Sequence, residues 1–242
     1  MNILVISDIH SNHGALESVL EDSLGEWELI WFLGDLVGYG PDPDECIDTV
    51  RDFDHIALSG NHDQAVLDRI DIRSFNRDAQ AAIRWTQESI SNLNMAYLGS
   101  LPSITVENPF TLAHASPRNP VWEYILDTRT AAANFNEFQT SYCLVGHTHV
   151  PMVCELTKEG TVEWSSPLYG QELALSDKRL ITNPGSVGQP RDYDPRAAYG
   201  LLHLEDLTWE FRRVPYDIER TQERMSAMGM PRRLIERLSQ GA

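Results

Sequence analysis

Tyr142-Cys143-Leu144-Val145-Gly146-His147-Thr148-His149 runs a short apolar segment into a glycine and then into two histidines one residue apart. The apolar run is too short for a helix and reads as a buried strand. In extended backbone, residues i and i+2 share a side, so both imidazoles are expected to face one pocket just past the strand. Gly146 lets the backbone turn close to whatever sits there. Imidazole is the commonest metal ligand, and two on one side call for a positive charge between them. A polar hairpin tip would show the same eight residues, so the rest of the chain has to decide.

The same construction recurs upstream. Ile3-Leu4-Val5-Ile6 delivers Asp8-Ile9-His10, Leu29 to Leu33 ends in Gly34-Asp35, Ile56-Ala57-Leu58 ends in Gly60-Asn61-His62-Asp63, and Phe110 to Ala113 ends in His114. Each motif has an ordinary reading by itself: a helix-capping turn at Asp8, a plain turn at Gly34, an Asx turn at Asn61, a hydrogen-bonded core histidine at His114. Ligands of α/β proteins gather where strands end at their carboxyl edge, and one shared site there explains all of them together. Five of the eight histidines belong to this set; His13, His55 and His203 read as surface or satisfied core residues.

The intervening segments complete an α/β pattern. Helices are expected over Gly14 to Leu24 with Ser11 or Asn12 as cap, over Asp44 to Arg51, and from Gln64 to about Leu93. A hairpin is expected around Asn108-Pro109, a helix over Arg129 to Phe138, and strands over Met152 to Leu156, Val162 to Trp164 and Arg179 to Thr182. The last leads into Asn183-Pro184-Gly185-Ser186. A closing β pair, Ala197 to Leu204 with Thr208 to Val214, and helices over Asp217 to Met225 and Arg232 to Leu238 finish the chain. No repeat or linker interrupts it, so residues 1–242 are expected to form one domain, with the helices of about 217–240 as an appendage.

Seven or eight mixed nitrogen and oxygen donors exceed what one ion takes, whereas two adjacent ions sharing a carboxylate use them all. Asp35 is the natural bridge, one oxygen to each ion. Such a pair activates a water and clamps the oxygens of an in-line phosphoryl displacement. Imidazole with carboxylate suits manganese, iron, cobalt, nickel or zinc better than calcium or an all-oxygen magnesium site. Manganese is the first expectation, with magnesium kept among the alternatives.

Composition narrows the setting. A net charge of -17 argues against general nucleic-acid binding and against anionic membranes. No apolar run is long enough to span a bilayer, and no signal-peptide pattern opens the chain. Cys46, Cys143 and Cys154 show no paired spacing and read as buried thiols of a reducing compartment, so a cytoplasmic location is expected.

The set Asp8-x-His10, Gly34-Asp35, Gly60-Asn61-His62-Asp63, His114 and Gly146-His147-Thr148-His149 resembles the full motif set of the calcineurin-like metallophosphoesterases, over residues 4 to about 150. Asn183-Pro184-Gly185-Ser186-Val187-Gly188-Gln189-Pro190-Arg191 resembles the compact bacterial and archaeal branch that includes small phosphodiesterases. One departure is Ala113 before His114, where many relatives have glycine. The resemblance implies a four-layer α/β/β/α sandwich, two mixed β-sheets flanked by helices. It implies Asp8, His10, Asp35 and His149 on one metal, and Asp35, Asn61, His114 and His147 on the other. His62 resembles the family's non-ligand histidine, which protonates the leaving oxygen or stabilises charge on the phosphoryl group; Asp63 is expected to orient its ring, unless it merely starts a helix. The implied reaction is attack of a metal-bridging hydroxide on phosphorus, without a covalent enzyme intermediate.

The branch resemblance points to small phosphodiesters or dinucleoside polyphosphates as substrates. Arg118 and Arg191 are candidate anion clamps, Tyr39 and Trp122 candidate stacking platforms, and the Asn183 to Ser186 turn a candidate rim of the pocket. A phosphomonoesterase or protein phosphatase is the alternative enzyme reading, and a nuclease is disfavoured by charge. Some relatives are non-catalytic protein-binding scaffolds that have lost the motif histidine; His62 is present here. Homo-oligomerisation is left open by the sequence.

Overall fold

The computed structural model describes all 242 residues, Met1–Ala242. Two six-stranded mixed sheets lie face to face. The first has strand order β3-β2-β1-β11-β12-β9, from β1 (Asn2–Ile6), β2 (Leu29–Phe32), β3 (His55–Ala57), β9 (Glu172–Ala174), β11 (Ala197–His203) and β12 (Thr208–Val214). The second has order β4-β5-β6-β10-β7-β8, from β4 (Ile104–Glu107), β5 (Phe110–Ala113), β6 (Tyr142–Val145), β7 (Met152–Leu156), β8 (Val162–Ser165) and β10 (Leu180–Asn183). β1, β2 and β3 run parallel, as do β5, β6 and β10; the remaining neighbours are antiparallel.

Strand alternation explains the layering. Ile3 and Val5 point between the sheets, where they meet Phe110, Leu112, Leu144, Trp209 and others in one buried cluster. Leu4 and Ile6 point the other way, onto Leu16 and Val19 of α1 (His13–Asp22) and Ile47 and Val50 of α2 (Pro43–Arg51). Behind the second sheet, Cys143 and Val145 pack on Ala131 of α6 (Thr128–Asn134) and on Phe135. β1 and β6 are covered on both faces, which is why they read as unbroken apolar runs. The architecture is therefore the α/β/β/α sandwich. In its middle the Trp209 ring lies on Gly200 so closely that a Cβ there would sit 2.2 Å from Cζ2.

The expected long helix from Gln64 to Leu93 is not one helix. α3 (Asn61–Val66) ends early, a short 3₁₀ turn covers Ile72–Ser74, α4 spans Arg77–Ser89, and α5 (Asn92–Ser100) was not foreseen. The breaks are capped locally: the Asn76 side chain accepts from Ala79 N at 3.0 Å and Ser91 Oγ from Asn94 N at 3.3 Å. The interruption brings Phe75 and Asn76 to the pocket described below. β9 also escaped the sequence reading; it is three residues long, at a sheet edge, and defined by its register on β12.

α7 (Ile218–Ala227), α8 (Arg232–Glu236), the connection between them and the 3₁₀ turn Arg237–Ser239 place Met225, Met230, Leu234 and Leu238 in one buried cluster with Tyr39, Ala79 and Ala82. All three cysteines are buried free thiols. No helix is long and apolar enough to cross a membrane.

Candidate metal centre

The parallel strands of both sheets end at one edge of the sandwich. The loops after β1, β2, β3, β5 and β6 bring together Asp8, His10, Asp35, Asn61, His62, His114, His147 and His149, all buried. They form overlapping groups able to hold a cation: Asp8, His10 and His149; His10, Asp35 and His62; Asp35, His114 and His147.

The loops are not extended. Asp8, His10, Asp35, His147 and His149 have φ of 53°, 49°, 59°, 64° and 60°, the left-handed region that side chains other than glycine seldom adopt. Such residues cost on the order of 1–3 kcal/mol each and persist only where surroundings hold them. His147 and His149 thus share the pocket through left-handed turns and divide across it: His149 lies beside Asp8 and His10, His147 beside His114 and Asp35. Close approach needs small residues. A Cβ on Gly60 would lie 2.1 Å from Asp35 Oδ1, and one on Gly146 2.0 Å from Ser7 Oγ.

Both carboxylates are anchored by one oxygen and offer the other. Asp8 Oδ2 accepts from Ser7 Oγ at 2.7 Å and from His147 N at 3.0 Å. Its Oδ1 has no hydrogen-bond partner and lies 3.3 Å from His149 Nε2 and 3.9 Å from His10 Nε2. Asp35 Oδ1 accepts from His62 N at 2.8 Å. Its Oδ2 lies 3.6 Å from His10 Nε2 and 3.5 Å from His114 Nε2. The single oxygen Oδ2, rather than one oxygen each, faces both histidine groups.

The imidazoles are oriented in the same manner. Nδ1 of His10 meets Val37 O at 3.1 Å, that of His149 meets Gln189 O at 2.6 Å, and that of His114 meets Leu33 O at 2.9 Å. A carbonyl can only accept, so each Nδ1 carries the proton and each Nε2 presents a lone pair. His10 Nε2 and His149 Nε2 are nevertheless 3.1 Å apart. His114 Nε2 is 3.3 Å from Asn61 Oδ1, and His147 Nε2 is buried without a partner. Lone pairs and carboxylate oxygens directed at one another in a dry site are what divalent cations require of their ligands, and the donor set fits them.

Dehydration also governs the charges. Burial pushes the Asp8 carboxyl up to about 7 and raises Asp35 well above the usual carboxylate range, helped by the charge of Asp63. Burial likewise holds His10, His147 and His149 well below the ordinary imidazole value. His62 is depressed by burial first and by the Arg191 charge next.

Three further expectations need correction. Asp63 does not orient His62: its oxygens accept from the backbone N–H groups of Asp35 (2.9 Å), Gly60 (2.9 Å) and Val37 (3.1 Å), while His62 Nδ1 has no partner. A short side chain at the third position of α3 reaches its own helix start and the neighbouring loop, not an adjacent ring. The Asn183 to Ser186 turn is not a rim; it is buried behind the ligand loops. Asn183 Nδ2 donates to Gly146 O (2.7 Å) and Thr148 Oγ1 (3.0 Å), and Ser186 Oγ donates to Asp8 O (2.8 Å). Arg118 stands apart from the pocket, its guanidinium donating to Glu123, with Nε to Oε1 at 2.9 Å.

Above the ligands lies a pocket of about 220 Å³ whose walls include Tyr39, His62, Phe75, Trp122, Tyr124 and Arg191. Tyr39 and Trp122 were legible as loop aromatics. Tyr124, whose ring stacks on His147 at 4.0 Å between centroids, and Phe75, 5.1 Å from His62, carried no sequence signal.

The family model described as the calcineurin-like phosphoesterase superfamily domain matches residues 1–207. An uncharacterised protein of Methanocaldococcus jannaschii is 38% identical over 247 residues, covering 99% of this chain and 98% of its own. The crystal structure of a metallophosphoesterase from Sphaerobacter thermophilus superposes with a TM-score of 0.92 at 44% identity, covering 100% of this chain and 99% of that one. A hypothetical protein from Pyrococcus horikoshii shares the fold, with a TM-score of 0.83 at 23% identity over 100% of this chain and 98% of its own.

Proposed function

The chain belongs to the calcineurin-like phosphoesterase superfamily and is a metallophosphoesterase, and from that premise we propose that it hydrolyses small phosphodiesters or dinucleoside polyphosphates at a centre of two divalent ions. Asp8, His10, Asp35 and His149 would hold one ion; Asp35, Asn61, His114 and His147 would hold the other. The observation that carries this reading is the placement of Asp35 Oδ2 at 3.6 Å and 3.5 Å from the lone pairs of His10 and His114. Manganese is the first candidate for this mixture of imidazole and carboxylate, with iron, cobalt, nickel, zinc and magnesium behind it.

When bound, the ions supply Lewis acidity that activates water and neutralises the phosphoryl oxygens. The chain's own part is to position and to move a proton. The imidazoles of His10, His114 and His149 are fixed by backbone carbonyls, so little reorganisation of these rings accompanies substrate entry. His62 is held neutral by burial and by Arg191. An anionic phosphoryl group entering between them opposes that field and favours the imidazolium, which then protonates the departing oxygen. Asp63 keeps the Asp35 loop in register through its three backbone bonds. Substrate contact falls to Arg191, since Arg118 is engaged with Glu123. We read residues 1–242 as one domain in which α7 and α8 are part of the packed body, and the buried free thiols favour a cytoplasmic setting.

The test is hydrolysis by the manganese-loaded protein of bis(nitrophenyl) phosphate, nitrophenyl phosphate and diadenosine tetraphosphate. Preference for the first or last supports the reading, and preference for the monoester replaces it with a phosphomonoesterase. Hydrolysis of none, with no metal taken up, leaves a protein-binding scaffold.

A further inference from the structure

The pocket above the ligands opens into a second groove of about 740 Å³, and Tyr39, Asn76, Tyr124 and Arg191 line both spaces. In a chain of net charge -17, this groove gathers four arginines, Arg77, Arg191, Arg233 and Arg237, against the carboxylates of Asp78 and Glu236 and the terminal carboxylate of Ala242. Glu236 is already engaged by Arg232 at 2.6 Å. Arg77 and Arg233 are exposed, and neither has a carboxylate partner. Arg191 donates to Gln189 Oε1 at 2.8 Å and lies 5.8 Å from the Tyr39 ring centroid; it has no carboxylate partner, and its buried Nε is unpaired. Arg237 donates to an oxygen of the terminal carboxylate of Ala242, and burial together with the Arg191 charge pulls its guanidinium down to about 10. With Arg237 answered by the Ala242 carboxylate and Glu236 by Arg232, the guanidinium groups of Arg77, Arg191 and Arg233 are left without a carboxylate partner and form a surface for a multivalent anion.

The elements supplying them are unrelated in sequence. Arg77 opens α4, Arg191 follows β10, and Arg233 and Arg237 sit four residues apart on the last helical turns, which places them on one face. Guanidinium pairs phosphate oxygens in a bidentate fork that lysine cannot match. Repeated phosphates of a nucleic acid offer the same chemistry, but the overall charge opposes a long polyanion and favours a short one.

We propose, resting on the hydrolase reading above, that this groove receives the non-scissile phosphates of the substrate, so that the chain acts on molecules carrying a short polyphosphate. Arg191 stands at the junction of the two spaces, and Arg77 and Arg233 hold the remaining phosphates.

The experiment compares the manganese-loaded wild type with Arg77→Glu/Arg233→Glu, both changes being exposed and checked for an unaltered thermal midpoint. The ratio of kcat/KM for diadenosine tetraphosphate over bis(nitrophenyl) phosphate is expected to fall at least about tenfold, chiefly through KM, the loss of one or two charge-assisted contacts. An unchanged ratio overturns the proposal. So does a larger loss on a short single-stranded oligonucleotide than on the tetraphosphate. If the wild type hydrolyses none of these esters, the hydrolase reading fails separately and binding decides the groove. Inorganic tripolyphosphate must then bind the wild type at least about tenfold more tightly than the variant by calorimetry, and equal binding refutes the groove.

Discussion

His10 Nε2 and His149 Nε2 face each other at 3.1 Å, and both rings have already committed their proton to a backbone carbonyl through Nδ1. Two lone pairs at that distance repel unless a cation lies between or beside them. Asp35 Oδ2 stands in the same relation to His10 and His114. A donor set so directed makes metal content the first quantity to measure.

Asp35→Ala is expected to lose both ions, because the same oxygen serves both histidine groups. His149→Ala should lose only the ion on the Asp8 side. Elemental analysis after gel filtration reads out metal per chain, and two ions retained by Asp35→Ala would falsify the shared-carboxylate arrangement.

His62→Ala should keep its metal and lose turnover by roughly 10²- to 10⁴-fold, the range for removal of a general acid. The two measurements must be made on one preparation. Metal loss in this variant contradicts a role confined to proton transfer.

Asp8 ties stability to pH in metal-free protein. Its carboxyl is held up to about 7 in the fold, against 3.8 unfolded. A raised acid contributes stability fully present below pH 3.8 and lost as pH rises towards 7. Chelator-treated wild type should therefore lose stability relative to Asp8→Asn across that window, by an amount on the order of a few kcal/mol. Manganese affinity should rise with pH over the same interval, because the ligand must first release its proton. Urea midpoints that run parallel for the two proteins would remove Asp8 as the cause.

Gly200→Ala tests the middle layer. The added methyl meets Trp209 Cζ2 at 2.2 Å in a fully buried position, so the ring or the strand must move. Overpacking of this kind costs about 1–3 kcal/mol. A urea midpoint indistinguishable from wild type would mean the indole shifts freely.

The strand-end motifs were legible because short apolar runs and the residues that follow them are local features of the sequence. Asp8-Ile9-His10 and His147-Thr148-His149 carry their spacing in the chain, and the covered strands β1 and β6 announce themselves by unbroken apolar character. What remained hidden depends on distant partners. Which oxygen of Asp8 is free is decided by Ser7 and by the backbone of His147. That Asp63 serves three backbone N–H groups is decided by how the loops after β2 and β3 meet. The division of Gln64 to Leu93 into separate helices rests on caps at Asn76 and Ser91, residues that a hydrophobic period passes over. Arg77 and Arg233 look like ordinary surface charges until the fold sets them along one groove.

The Asp8 carbonyl accepts from Ser186 Oγ and Gly188 N, and His149 leans on the Gln189 carbonyl. During synthesis, the earliest loop of the protein must wait for a segment nearly 180 residues later before it can settle. A ribosome-bound chain that has emerged only as far as His149 carries every donor atom for the cations but none of this buttress. Metal capture should therefore lag behind the appearance of the histidines and follow the emergence of Gln189.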